Sequence, residues 1–162
     1  MTSVHVLHAG YADLLVASTV TLIRDGDALI VTDPGMVSHR ALILDPLAAL
    51  GVAPEDVTRV FLTHHHPDHT INVALFPRAE VVDFWARYLA DKWLDHDGDG
   101  YALSPNSQLW LTPGHTAEDA TLIVRADDLS RVNRAFFTAN GIIGIGLFAF
   151  ALADLITHGL AG

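Results

Sequence analysis

A single α/β (α+β) domain over residues 1–162 is the fold class this sequence predicts, on three observations. Short apolar runs of strand length recur between Gly, Pro and Asp residues, at 20–23, 28–31, 60–63 and 109–112. A helix-length stretch, 38–50, separates the second run from the third. Histidines follow the third and fourth runs, and open α/β sheets place their ligands at such strand ends.

Composition sets the outer limits. With 162 residues, 51% of them hydrophobic, the chain can bury a sizeable core, and it shows no internal repeat or low-complexity linker. It has no cysteine, which removes disulfides and thiolate ligands and leaves His, Asp and Glu to bind metal. Nine basic and nineteen acidic residues give a formal charge of −10, which disfavours nucleic acid and anionic membranes as partners. Asp13 interrupts the early apolar stretch and no basic segment precedes it, so no signal peptide is expected and a cytoplasmic location is.

Taken in order, 18–33 reads as a β-hairpin with Asp25-Gly26 in its turn, ending at Thr32-Asp33-Pro34-Gly35. Asp33 is either a turn cap or a carboxylate that fixes the histidine loop from behind. A helix follows from an N-cap at Ser38 towards Leu50, broken or kinked by Pro46 and stopped by Gly51. Residues 52–58 form a connection and 60–63 a buried strand. Residues 70–76 read as a helix ended by Pro77, 80–84 as a strand and 85–94 as a helix. The acids of 95–100 imitate the start of a calcium loop, but its twelfth position is Asn106 where a bidentate Glu is needed, so a solvated loop is expected.

The chemistry concentrates in Thr63-His64-His65-His66-Pro67-Asp68-His69. In an extended segment His64 and His66 share one face and His65 points away. Asp68 and His69 aim at different points, which suits two neighbouring ions better than one. Imidazole and carboxylate suit zinc, with iron or manganese as alternatives. Pro67 keeps His66 extended and helps turn the chain between the two pairs. A histidine-rich surface loop is the competing reading, and the carboxylate at ligand spacing argues against it. His115, after Thr112-Pro113-Gly114, repeats the strand, turn, histidine logic and completes three protein ligands with a position left for water.

With these residues in view, the chain resembles the metallo-β-lactamase-fold hydrolases: Thr32 to Gly35 is similar to their first acidic turn, 64–69 to their HxHxDH motif, and Thr112 to Thr116 to their second histidine turn. The run 40–77 resembles the metallo-β-lactamase domain-containing protein 1 subgroup. The resemblance implies a four-layer αββα sandwich, possessing one metal held by His64, His66 and His115 and a second begun by Asp68 and His69, with Asp33 in support. It also implies a bridging carboxylate where this chain has Asn140, and a last ligand at His158; 140–158 is shorter than the usual interval. An amide oxygen bridges two cations poorly.

Residues 141–152 are apolar but too short to span a bilayer, and Asp154 interrupts their extension, so a core helix is expected. Left exposed, the divergent segment 141–162 offers a homodimer contact. The expected activity is hydrolysis by metal-activated water of a small ester, thioester or lactone, one or two zinc ions serving as cofactor and Asp68 as general base. A phosphodiesterase or endoribonuclease, and a metal-binding member weakened by Asn140, are the competing functions.

Overall fold

The structure, a computed structural model, describes residues 1–125, which fall within a compact unit running Met1–Asp127. Asn140, His158 and the segment 141–162, with its expected core helix and homodimer contact, lie outside the described residues.

Five strands and a helix open the chain: β1 (Thr2–His8), β2 (Tyr11–Ala12), β3 (Val16–Ala17), β4 (Val20–Asp25), β5 (Ala28–Thr32) and α1 (Ala41–Ala49). Then come β6 (Arg59–Phe61), α2 (Pro67–Thr70), β7 (Glu80–Val82), β8 (Ala86–Leu89), β9 (Lys92–Asp95), β10 (Ala102–Ser104), β11 (Ser107–Leu111) and β12 (Ala120–Val124). A seven-stranded sheet runs β1-β4-β5-β6-β7-β8-β9, and a three-stranded sheet runs β10-β11-β12. β5, β6 and β7 are parallel neighbours, and the other pairs of the large sheet are antiparallel.

Alternation along the central strands sorts side chains into two cores. Leu22, Val31 and Val60 face α1, where Ile43 and Leu47, four apart on one helical face, bury against them. Ile23, Ile30, Phe61 and Val82 face the small sheet and meet Leu103, Leu109 and Ala120. The described layers are therefore helix, sheet, sheet. The mixed α/β class holds, dominated by strands.

The hairpin turn falls where expected, with Asp25 paired to Ala28 and Gly26 at φ 61. Two details of α1 differ. It begins at Ala41 without a side-chain cap, and Pro46 lies inside it without ending it. Gly51, at φ 70, does end it: its N–H donates to the Ala48 carbonyl and that of Val52 to Leu47.

The larger correction is 85–94, which is the β8–β9 hairpin and not a helix. The Asp83 carboxylate accepts the N–H groups of Trp85 and Ala86 and turns the chain sharply, so β8 adds antiparallel to β7. Tyr88 then pairs across with Trp93, ring centroids 4.7 Å apart. Residues 70–76 are likewise no continuous helix: α2 ends at Thr70, and one 3₁₀ turn covers Val73–Leu75. The Asn72 side chain is drawn out of the helical path to bond the Gly35 carbonyl. The acidic loop 95–100 folds around its own histidine: His96 Nδ1 accepts the Gly98 N–H, while its Nε2 faces the Asp83 carbonyl at 2.9 Å. Asn106 is occupied elsewhere, bonding Asp25.

Candidate metal centre

The short strand β6 delivers the histidine segment. Phe61, fully buried, anchors it, and the chain leaves the sheet at Leu62 and Thr63. His66 is extended at φ −66 and ψ 148, as the residue before a proline should be, and Pro67 starts α2. His115 arrives from the turn between β11 and β12. That turn is braced by Asp119, whose carboxylate accepts the Thr116 N–H and hydroxyl, and it is tied to the first segment by the Ala120 N–H donating to the Thr63 carbonyl at 2.7 Å. Bonds from Thr116, hydroxyl first and then N–H, lower the Asp119 pKa to about 2.

His64, His66 and His115 converge, with one ligand atom from each lying within 4.8 Å of the others. His64 Nε2 and His115 Nε2 each stand 3.2 Å from His66 Nδ1. A tetrahedral ion with nitrogens about 2.0–2.1 Å away sets neighbouring donors roughly 3.3 Å apart, so the imidazoles fit a zinc-sized cation. One ring nitrogen facing two others is otherwise a poor hydrogen-bonding arrangement.

The tautomers agree with this. Thr63 Oγ1 donates to Asp33 Oδ2 at 2.9 Å, so it accepts from His64 Nδ1 at 3.2 Å, while His69 Nδ1 stands 3.2 Å from both Thr63 Oγ1 and Asp33 Oδ2. With Nδ1 carrying the proton, His64 presents a lone pair at Nε2. Burial, then the nearby His69 and His66, push the His64 pKa down, which favours that neutral form. Burial works against charge on His69 too, but the hydrogen bond and charge of Asp33, followed by Asp68, outweigh it and raise its pKa.

Asp33 itself sits at φ 46, a left-handed conformation that Asp tolerates better than most residues. Its second oxygen accepts the Thr63 N–H at 2.8 Å, so the residue grips the root of the histidine segment without touching His64 by a hydrogen bond. Asp68 Oδ2 lies 3.4 Å from His69 Nε2. Of the residues expected in the site, the structure thus brings together His64, His66 and His115 as one group, and Asp33, Asp68 and His69 beside it.

Thr63, Asp83 and Asp119 also serve the site and carry only weak local signals in the sequence. Thr63 reads as the end of a strand, although Thr beside a metal-binding histidine is a signal for an outer hydrogen bond. The Thr116 and Asp119 spacing was an available capping signal.

The chain matches the metallo-beta-lactamase superfamily over residues 14–160. It belongs to that superfamily. Metallo-beta-lactamase domain-containing protein 1 of Xenopus laevis is 38% identical over 141 residues, covering 80% of this chain and 60% of the relative, in keeping with the likeness read from 40–77. A hydroxyacylglutathione hydrolase of Tolumonas auensis is 32% identical over 108 residues, covering 61% of this chain and 40% of that protein. The chain therefore spans less than two thirds of either relative. Among solved structures, a metallo-beta-lactamase family protein of Thermus thermophilus superposes with a TM-score of 0.60 at 20% identity, covering 75% of this chain and 55% of that one, which establishes the shared fold.

Proposed function

We propose that this superfamily member is a metal-dependent hydrolase that holds zinc through His64 Nε2, His66 Nδ1 and His115 Nε2 and acts on a small ester, thioester or lactone. The observation that carries the reading is the convergence of those three nitrogens, two of whose spacings, at 3.2 Å, are close to those around a tetrahedral ion. When bound, the ion supplies Lewis acidity towards a substrate oxygen and makes nearby water more acidic.

The chain's own groups do the rest. Thr63, backed by Asp33, fixes the His64 tautomer and directs its lone pair inwards. Asp68 stands beside His69 with part of its carboxylate open to solvent, and takes the proton of the attacking water as general base. Asp68 and His69 also begin a second metal position, which in sequence continues to Asn140 and His158.

The formal charge of −10 opposes polyanionic substrates, and the name of the Tolumonas relative is that of a thioester hydrolase; both favour a small acyl compound. A reducing cytoplasm suits a chain without cysteine. The test is metal analysis of the purified full chain, then hydrolysis of a thioester and a lactone beside bis(p-nitrophenyl) phosphate and single-stranded RNA. At least one equivalent of zinc and turnover confined to the acyl substrates are expected. Protein that retains no metal overturns the reading, and turnover of phosphodiester or RNA alone transfers it to a nuclease.

A further inference from the structure

His65 lies between two of the proposed ligands yet points away from them, and what it meets there is unusual. Its Nε2 lies 2.9 Å from Oδ2 of Asp83, a buried residue. Oδ1 of the same carboxylate accepts the N–H groups of Trp85 at 2.8 Å and Ala86 at 2.9 Å. The Tyr88 phenol is held protonated nearby, its pKa pushed up by burial and then by Asp83. No Lys or Arg pairs with Asp83 among the described residues. A carboxylate withdrawn from water is costly unless its oxygens are bonded, and the exposed side chain that bonds Asp83 is His65. The Trp85 ring lies against that imidazole, centroids 5.1 Å apart and 40° inclined, which restrains it further.

The geometry points to Asp83 as a positioning residue for the metal centre, acting through His65. This rests on the metal-binding reading of His64, His66 and His115. Residues 64–66 leave the sheet as an extended segment, so a rotation of the chain at 65 swings both flanking imidazoles together. The segment is gripped on its ligand side by Asp33 through Thr63, and on the opposite side by Asp83 through His65. Removing the second grip leaves three ligands present and the fold intact, but frees the pair whose nitrogens stand 3.2 Å apart. Asp83 touches neither substrate nor ion, and its effect is read in how tightly and in what geometry the ion is held.

The experiment uses the full chain and zinc alone, with affinity measured by competition against a chromophoric chelator, the visible spectrum of the cobalt-substituted protein recording geometry, and the melting midpoint of the metal-free protein recording fold. His65→Ala is expected to weaken zinc binding by about 10–100-fold and alter the cobalt spectrum, with the metal-free midpoint little changed. His65→Gln, whose amide N–H reaches Asp83 much as the ring N–H does, recovers most of that loss. Asp83→Asn combined with His65→Ala binds no more weakly than His65→Ala alone, since both remove one interaction. Wild-type affinity and spectrum in His65→Ala, no advantage of Gln over Ala, or additive losses in the double variant each overturn the inference and leave the metal-centre reading standing. A wild-type chain that fails to bind zinc overturns that reading, and this inference falls with it.

Discussion

Thr63 is the residue through which the ligand histidines are given their proton pattern. Its hydroxyl hydrogen is committed to Asp33, so a lone pair is left to accept from His64, and Asp33 and Thr63 together meet His69 Nδ1. Thr63→Val keeps the β-branched shape and removes the oxygen. Zinc affinity is therefore expected to fall by about 10–100-fold with the melting midpoint of the metal-free protein close to that of the wild type, as competition titration and thermal melting would record. Unchanged affinity would show that the hydroxyl plays no part in orienting the rings. A second residue-scale prediction concerns Asp25. Burial works against its charge, but bonds from Ser104, Asn106 and Thr2 more than compensate and lower its pKa. The folded value lies below the unfolded one of about 3.9, so this stabilisation is present above that pH and is lost as pH falls through the folded value. Asp25→Asn is expected to cost about 1–3 kcal/mol at neutral pH, with the difference from wild type shrinking below about pH 4 in denaturant titrations. A difference that does not vary with pH assigns the loss to packing.

At the scale of elements, the turn after β5 and the start of α2 are built against each other. The Ser18 N–H donates to the Asp68 carbonyl, the Ser18 hydroxyl to the Asp33 carbonyl, and Asn72 bonds the Pro34 and Gly35 carbonyls. A Cβ at Gly35 would sit 1.5 Å from the Asp68 carbonyl oxygen and 2.4 Å from the His69 nitrogen, both backbone atoms that cannot swing aside. Gly35→Ala is thus expected to displace Asp68 and His69, destabilising by about 1–3 kcal/mol or more and lowering metal content, by thermal melting and elemental analysis. A fully loaded, wild-type-like variant would refute that contact. The glycine was visible in the sequence as part of an acidic turn, whereas its contact with a segment more than thirty positions away was not. The same distinction runs through the fold. Strands ending in histidines were legible because a short apolar run and a turn residue are local signals. The β8–β9 hairpin was not, because Ala86 to Leu94 has ordinary helix formers, and what decides the matter is Asp83 turning the chain beside an available sheet edge. Among the described site residues, His64, His66 and His115 are legible from type and spacing, and the fold brings them together. Thr63, Asp83 and Asp119 act through contacts that only the folded chain brings about.

For the whole molecule, the proposed centre joins parts from the two sheets. His64 and His66 follow β6 in the large sheet, and His115 follows β11 in the small one, so a bound ion would cross-link the two sheets at one edge of the sandwich. At the β4 end of the small sheet, Asn106 and Asp25 make a comparable tie, with the Asn106 N–H donating to Asp25 at 2.7 Å. An ion bound only by the folded state stabilises by RT ln(1 + [L]/Kd), about 2.7 kcal/mol at a hundredfold excess over Kd, which for a chain of this size raises Tm by roughly 5–10 °C. Stripping metal with a chelator should lower Tm by that amount, and zinc should restore it. His115→Ala should abolish the zinc-dependent part, because the cross-link then has ligands from one sheet only. It should leave the metal-free Tm nearly unchanged, since His115 is exposed and its removal opens no cavity. If zinc raises the melting point of His115→Ala as much as that of the wild type, the ion is bound by 64–69 alone and the two sheets are not joined through it.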